Sequence, residues 1–151
     1  MSKKGRKPSE VFISHSNQDR AFVTRLVALL RKNRIPYWYS PKHIIGAAQW
    51  HDEIGKALAR CDWFVVVLTP RSVNSRWVKK ELLFALNSAL YDDRIVPILV
   101  RDCDFRHLSW TLDQIERIDF RASFDAGCHD LLRVWSIAGK TAKRRKRTSR
   151  T

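Results

Sequence analysis

The chain has 151 residues, a length that suits one domain with a single hydrophobic core. Its hydrophobic fraction of 44% and aromatic fraction of 11% indicate a folded protein and exclude a disordered one. The net charge of +14 suggests nucleic-acid binding, but eleven of the 29 basic residues lie at positions 1–7 and 140–151. The rest of the chain holds 18 basic and 15 acidic residues. We therefore predict flexible basic tails at 1–9 and 140–151 around one domain at 10–139.

The cysteines and the apolar runs restrict the cellular setting. Cys61, Cys103 and Cys128 have neither metal-ligand spacing nor an even count for a disulfide framework. Such usage is typical of a reducing cytosol, so we predict a cytoplasmic protein without a metal or a resident cofactor. The longest apolar run, residues 63–68, is too short to cross a membrane, and no apolar stretch follows the basic N-terminus as in a secretory signal.

Apolar segments typical of strands alternate along the chain with amphipathic segments typical of helices. Strands are predicted at residues 11–14, 36–39, 63–68, 95–100 and 115–119. Helices, capping residues included, are predicted at residues 16–33, 50–60, 75–86 and 124–138, with a loop at 40–49. This alternation predicts an α/β, flavodoxin-like three-layer fold, with a central parallel sheet of about five strands and helices on both faces. Ligands bind beyond the carboxyl ends of such strands, so the loops after Ser14, Tyr39 and Leu68 are candidates for a site.

Three helix N-termini carry local signals. The spacing of Ser16 and Asp19 is that of a capping box, so we expect Ser16 to cap the first helix. Asp52 and Glu53 are expected in the first turn of the second helix, where the helix dipole favours acidic side chains. Ser75 is expected to cap the third helix.

The third helix carries a carboxylate without a local partner. Val78, Leu82 and Ala85 recur at helical spacing and form an apolar stripe. Trp77 and Glu81 lie four residues apart, on one face. No basic residue stands three or four positions from Glu81, so the helix offers it no ion pair. A carboxylate among apolar neighbours has a raised pKa or a functional role, whereas the alternative is a Glu that points to solvent from the helix edge.

Five blocks of sequence, taken in chain order, together match the pattern of a known domain family. They are Val11-Phe-Ile-Ser-His-Ser16 with Asp19; Ile35-Pro-Tyr-Trp-Tyr39; Ile45-Gly46 with Trp50, Ile54 and Ala57-Leu58; Cys61-Asp-Trp-Phe-Val-Val-Val-Leu-Thr69; and Ser75-Arg-Trp77 with Glu81-Leu82. Together, at these spacings, they resemble a TIR domain (Toll/interleukin-1 receptor type) of the small bacterial form, over about residues 11–132. Two positions depart from the pattern: Ser40 stands where many relatives carry an Asp, and His15 stands where an aromatic residue is common.

The resemblance implies a chemistry. Many bacterial TIR domains cleave the bond between nicotinamide and ribose in NAD⁺, releasing ADP-ribose or a cyclic form, and they need a Glu on the third helix, which Glu81 matches. Nicotinamide leaves without needing a proton, and a carboxylate beside the ribose stabilises the positive charge left behind. The resemblance therefore implies an NAD⁺ glycohydrolase with Glu81 as its catalytic residue, acting in immune signalling or antiviral defence.

Five further residues are candidates for binding NAD⁺, and four of them have a structural alternative. They are Ser14, His15, Trp38, Lys42 and Trp77. His15 could line the nucleotide pocket or belong only to its loop, and Trp38 could stack on a base or belong to the core. Trp77 could hold Glu81 in place by packing, and Lys42 could meet the pyrophosphate or remain a solvated surface lysine.

Other nucleotide and hydrolase sites fit the sequence less well. The five glycines form neither a Rossmann nor a P-loop motif. A phospho-receiver domain needs clustered acids after its first strand and an Asp after its third, where this chain has residues 14–16 (Ser-His-Ser) and 69–70 (Thr-Pro). His15 beside Ser16 invites a hydrolase interpretation, but Ser16 is better explained as a helix cap.

Two classes of function remain open. The first is an NAD⁺-consuming enzyme, and the second is a non-catalytic adaptor that self-associates with other TIR domains through the loop at 40–49. Because nothing in the sequence indicates a second domain, a partner protein is expected to supply the sensing or effector function. The basic run at 143–147 could contact a polyanion such as nucleic acid or anionic lipid, or it could serve only solubility.

Overall fold

The structure, a computed structural model, describes residues 7–39 and 47–137. Within them, one parallel sheet contains β1 (Val11–Ser14), β2 (Tyr37–Tyr39), β3 (Trp63–Leu68), β4 (Ile95–Leu99) and β5 (Ile118–Asp119). The α-helices are α1 (Arg20–Lys32), α2 (Ala47–Arg60), α3 (Arg76–Leu86) and α4 (Phe124–Val134). The predicted α/β fold with five parallel strands is therefore confirmed.

The order of the strands fixes where the chain reverses direction across the sheet. The order is β2-β1-β3-β4-β5, and every neighbouring pair is parallel. The chain moves from β1 outward to β2, then crosses back to β3 on the other side of β1. The loops after β1 and β3 therefore diverge at one point of the carboxyl edge, which is where sheets of this kind bind ligands.

Alternation along the strands divides the core into two layers. Val11 and Ile13 pack in one apolar cluster with α1 and α4, whereas Phe12 packs in a second cluster with α2 and α3. All six residues of β3 are buried, because β3 is a central strand with helices on both faces. Ser14 has the same parity as Phe12 and so faces α3, which brings the end of β1 under the third helix.

The start of α2 differs from the prediction. The helix begins at Ala47 and not at Trp50, because residues 47–49 (Ala-Ala-Gln) are good helix formers. The predicted loop at 40–49 is therefore too long at its C-terminal end, and residues 40–46 lie outside the described part of the chain. The expectation that Asp52 and Glu53 occupy the first turn is wrong, since that turn now precedes them.

Ser16 caps a different element from the one predicted. Its hydroxyl accepts a hydrogen bond from the Gln18 N–H at 3.2 Å and caps a short 3-10 helix, Asn17–Asp19. The α-helix proper begins afterwards, at Arg20. Asp19 completes no capping box, because its carboxylate hydrogen-bonds the side chain of Thr69.

Strands β2, β4 and β5 are shorter than predicted. β2 begins at Tyr37 and not at Pro36, and β4 ends at Leu99 and not at Val100. A 3-10 helix at Trp110–Gln114 occupies the chain just before β5, and only Ile118 and Asp119 pair as a strand. Between the two elements, the Arg117 guanidinium donates a hydrogen bond to the Ile115 carbonyl oxygen at 3.2 Å.

The last helix ends at Val134 and not near Ala138. Ser136 adopts a positive φ of 55°, a left-handed conformation that terminates helices. Residues 1–6 and 138–151 lie outside the described residues, so the predicted tail boundaries stay predictions. No helix between residues 7–39 or 47–137 has the length and apolar character needed to cross a membrane.

Candidate active site

The apolar stripe of α3 carries Glu81 into the protein. The buried residues of this helix are Val78, Glu81, Leu82 and Ala85, which recur at the spacing of one helical face. Ser75 caps the helix as predicted, accepting a hydrogen bond from the Val78 N–H at 3.2 Å. The side chain of Glu81 is only 5% exposed, so the alternative of a solvent-facing Glu is wrong.

Ser14 meets this carboxylate from the end of β1. Its hydroxyl donates a hydrogen bond of 2.6 Å to Oε1 of Glu81, and Ser14 is itself only 1% exposed. The contact joins residues 67 positions apart in the sequence. It forms because Ser14 is the last residue of β1 on the face covered by α3, and because α3 follows β3, which pairs with β1. The two side chains thus lie where the chain reverses direction across the sheet.

Burial controls the charge state of Glu81. Loss of water raises the pKa of Glu81 from its ordinary value of 4.5 to about 7, and the hydrogen bond from Ser14 opposes part of this rise by favouring the ionised form. The burial of Glu81 agrees with the apolar setting expected from the sequence. A carboxyl group that titrates near neutrality can be ionised at physiological pH, yet it is held without a cation.

His15 lies next to Ser14 but interacts with a different strand. Its ring contacts Tyr39 of β2 edge to face, with 5.7 Å between ring centroids, and the guanidinium of Arg20 lies 5.0 Å from the centroid of the same tyrosine ring. Burial, with a smaller contribution from the nearby Arg20 charge, lowers the pKa of His15 to about 4. Neither ring nitrogen has a hydrogen-bond partner in the described part of the chain. Both nitrogens of the neutral imidazole are themselves buried, which favours the alternative that His15 belongs to its loop.

Two of the remaining predicted binding residues, Trp38 and Trp77, contact other side chains. Trp38 is half-buried and stacks on Phe12, with 5.0 Å between centroids, which favours its core alternative. Trp77 is 39% exposed at the start of α3, with the Lys80 ammonium 5.2 Å from the ring centroid. Lys42 lies outside the described residues. The structure therefore brings Ser14 and Glu81 into direct contact, with His15 beside them in sequence.

A second buried carboxylate at the same edge of the sheet was not singled out from the sequence as a site residue. Asp19 is 7% exposed and accepts a 2.7 Å hydrogen bond from the hydroxyl of Thr69, the residue after β3. Arg71 lies 3.6 Å from its other oxygen and also donates to the Gln18 carbonyl. The signal that could have found it is the position of Asp19 and Thr69 just beyond two adjacent parallel strands.

The opposite edge of the sheet contains a cavity of about 300 Å³. Its lining includes Trp63, Tyr91 and Asp93, near the amino ends of β3 and β4. We place the candidate site at Glu81 all the same, because parallel sheets bind ligands beyond their carboxyl ends. In residues 7–39 and 47–137, no three His, Cys, Asp or Glu side chains gather in a way that could hold a metal ion.

The family model of the TIR domain matches residues 11–132, which are most of the chain. The chain belongs to the TIR domain family. Two curated relatives share part of this TIR domain. "NAD(+) hydrolase TcpC" from Escherichia coli is 30% identical over 92 residues, which are 59% of this chain and 30% of the relative. "Probable 2' cyclic ADP-D-ribose synthase TcpO" from Methanobrevibacter olleyae is 24% identical over 95 residues, which are 62% of this chain and 28% of that protein.

Solved structures confirm the fold of this TIR domain. The TIR domain of the Toll-related receptor TRR-2 from Hydra magnipapillata superposes with a TM-score of 0.67 at 21% identity, covering 82% of this chain and 94% of its own. The TIR domains of the activated Roq1 resistosome, which recognises the pathogen effector XopQ, superpose with a TM-score of 0.53 at 20% identity, covering 87% and 86%. The two curated relatives are much longer than their matched parts, since the match spans under a third of each.

Proposed function

We propose that this TIR domain cleaves the nicotinamide–ribose bond of NAD⁺, giving nicotinamide and either ADP-ribose or a cyclic ADP-ribose. The observation that carries the proposal is the buried Glu81 carboxylate, held by Ser14 at the carboxyl edge of the sheet. The activities named for the two curated relatives, an NAD⁺ hydrolase and a probable 2' cyclic ADP-ribose synthase, support the same reaction. NAD⁺ is the substrate in this proposal, and no resident cofactor is required.

The chemistry requires one negative charge beside the sugar. The nicotinamide of NAD⁺ is cationic, so it takes the bonding electrons and leaves as a neutral base without a proton. Positive charge then develops on the ribose, and the ionised Glu81 stabilises it by charge and by accepting hydrogen bonds from ribose hydroxyls. Water supplies the new bond in hydrolysis and releases a proton, whereas an internal nucleophile of the same molecule supplies it in cyclisation.

The test is incubation of the purified protein with NAD⁺ and identification of the products by mass spectrometry. We expect nicotinamide in equal amount to ADP-ribose or its cyclic form. Glu81→Gln should lower turnover by about a hundredfold or more, because it removes a charge used in the transition state. Glu53→Gln is the matched control, since Glu53 is an exposed carboxylate of α2 and should leave turnover unchanged. A fully active E81Q protein would remove Glu81 from the mechanism.

An adaptor that acts by TIR–TIR assembly is the second candidate, and the surface of α3 supports it. Trp77, Leu83 and Phe84 of this helix are 39–48% exposed, as is Leu90 beyond it, although such residues favour the core. The loop at 40–49 is the other proposed contact, with residues 40–46 outside the described part of the chain. An inert wild type that self-associates would favour this candidate.

Assembly and catalysis can also operate together, which a dilution series can test. If a neighbouring subunit completes the site, NAD⁺ cleavage per molecule should rise with protein concentration, and Phe84→Asp should lower cleavage and assembly in parallel. Light scattering at each concentration reports the assembly state. Constant specific activity from a monomer across the series would exclude this coupling.

The cellular setting is part of the proposal. We place the protein in the cytoplasm, in immune or antiviral defence signalling, with a partner protein that supplies sensing or effector function. The basic residues at 140–151 would contact a polyanion through charge and counterion release. Removing them should leave cleavage of free NAD⁺ unchanged and should weaken the salt-dependent binding of nucleic acid or anionic vesicles.

A further inference from the structure

We propose that Ser14 is a positioning residue, which fixes one oxygen of Glu81 and keeps this carboxylate ionised, rather than a residue that binds NAD⁺ itself. The inference rests on the proposed function, because it assigns a role within the same site. It differs from the sequence-based expectation for Ser14, which placed this residue among those that contact the nucleotide.

The geometry gives the two oxygens of the carboxylate different tasks. Oε1 accepts the 2.6 Å hydrogen bond from the Ser14 hydroxyl, a short bond of the kind made to a charged acceptor. Oε2 accepts no hydrogen bond from the described residues, so it remains available for a ribose hydroxyl. The Ser14 hydroxyl has a single proton, and that proton is already donated to Oε1. With only 1% of Ser14 exposed, little of its surface is left for a substrate to touch.

Among the described residues, no charged side chain performs this task in place of Ser14. Burial raises the pKa of Glu81, and the Ser14 hydrogen bond lowers it. The elements packed around the carboxylate carry few titratable groups. On α2 and α3, apart from Glu81 itself, these groups are exposed and comprise His51, Asp52, Glu53, Lys56, Arg60, Arg76, Lys79 and Lys80. Strand β3 has none, His15 beside Ser14 is held neutral by its lowered pKa, and the phenol of Tyr91 donates to the Leu58 carbonyl.

The removal of the hydroxyl therefore has a defined consequence. In Ser14→Ala, Glu81 keeps its burial and loses the one group in residues 7–39 and 47–137 that favours its ionised form. A hydrogen bond to a charged group corresponds to a shift of about one pKa unit, so Glu81 should stay protonated to higher pH. Activity should be lost at low pH and restored at high pH. A residue that only binds substrate, or only supports the fold, would cause a loss independent of pH.

The experiment compares kcat and KM for NAD⁺ between pH 5.5 and 9.5 in wild type, Ser14→Ala and Ser14→Thr. In S14A we expect the acid limb of kcat to move upward by about one unit, a roughly tenfold loss at pH 6, and values near wild type at pH 9. S14T keeps the donor and should keep the wild-type profile. If S14A does not fold, Ser14→Cys has nearly the same volume and a weaker donor, and it serves the same comparison.

A raised KM with an unmoved acid limb would show that Ser14 contacts the substrate, and a loss of equal size at every pH would show a purely structural role. Either result would overturn the inference.

A second measurement does not depend on activity. The chain has four glutamates, at positions 10, 53, 81 and 116, so ¹³C labelling of their carboxyl carbons gives few signals, and E81Q assigns that of Glu81. The titration midpoint of Glu81 should be higher in S14A than in wild type. An unchanged midpoint in a protein that cleaves NAD⁺ would refute the inference alone. A protein that does not cleave NAD⁺ but shows the shifted midpoint would refute the proposed function and leave the role of Ser14 intact.

Discussion

Two buried carboxylates lie at the carboxyl edge of the sheet, and they are held in different ways. Glu81 and Asp19 are 5% and 7% exposed, and each accepts a hydrogen bond of 2.6–2.7 Å from a hydroxyl on a neighbouring strand or just after it. Asp19 also has the guanidinium of Arg71 at 3.6 Å, whereas Glu81 has burial and the Ser14 hydrogen bond and no cation from the described part of the chain. The site with a cation ties loops together, and the site without one holds a charge that a cationic transition state can use.

The contrast explains why a stable fold retains an unfavourable group. A buried carboxylate without a cation is costly in the ionised form, and proteins tolerate such groups mainly at functional sites. Asp19 instead ties the 3-10 turn after β1 to the loop after β3 through Thr69 and Arg71. Glu81 and Asp19 are buried to a similar extent, and they differ in that Asp19 has the cation of Arg71 as a partner.

The largest difference should appear when Glu81 is neutralised. Its folded-state pKa of about 7 lies above its ordinary value of 4.5, so the ionised group destabilises the fold. Stability from the protonated form is present below pH 4.5 and is lost as the pH rises through 7. Glu81→Gln should therefore be more stable than wild type at pH 8, by up to about 3 kcal/mol, while losing turnover. Denaturant unfolding at pH 4.5, 6 and 8 measures this gain, and a gain that does not grow with pH would contradict it.

Neutralising the second carboxylate should have the opposite sign and a smaller size. Asp19→Asn weakens a buried hydrogen bond to Thr69 and leaves Arg71 without its counter-charge, so we expect a loss of about 1–3 kcal/mol. Turnover per folded molecule should change little, because Asp19 is not part of the Ser14–Glu81 pair. Unfolding at pH 8 and turnover at saturating NAD⁺, measured on the same preparation, test both parts. A D19N protein that is more stable than wild type, or that has lost its turnover, would contradict the structural role assigned to Asp19.

The sequence contains the local part of this arrangement. The uniform apolar run of β3, the Ser75 cap and the periodicity around Glu81 depend on neighbours within one element, and each was predictable. The carboxylate's apolar setting followed from the absence of a basic residue one turn away. These signals work because helix and strand periodicity decide which side chains face the core.

The long-range part was not contained in any local pattern. The Ser14–Glu81 hydrogen bond spans 67 positions, and the bond between Asp19 and Thr69 spans 50. Both depend on the pairing of β1 with β3, which periodicity does not specify. The start of α2 and the length of β5 were also missed. Alanines extend a helix without adding to its apolar periodicity, and a 3-10 helix ends directly before the expected strand.

Glu81 is a carboxylate whose protonation we expect to change near neutral pH, because it is buried and the described residues place no cation beside it. The most direct test is the ¹³C titration of its side-chain carboxyl carbon in the wild-type protein, with Glu53 as the exposed internal reference. We predict a midpoint for Glu81 of about 7, well above its ordinary value of 4.5. A midpoint at or below 4.5 would contradict it, because a carboxylate with that midpoint would be solvated or paired with a cation.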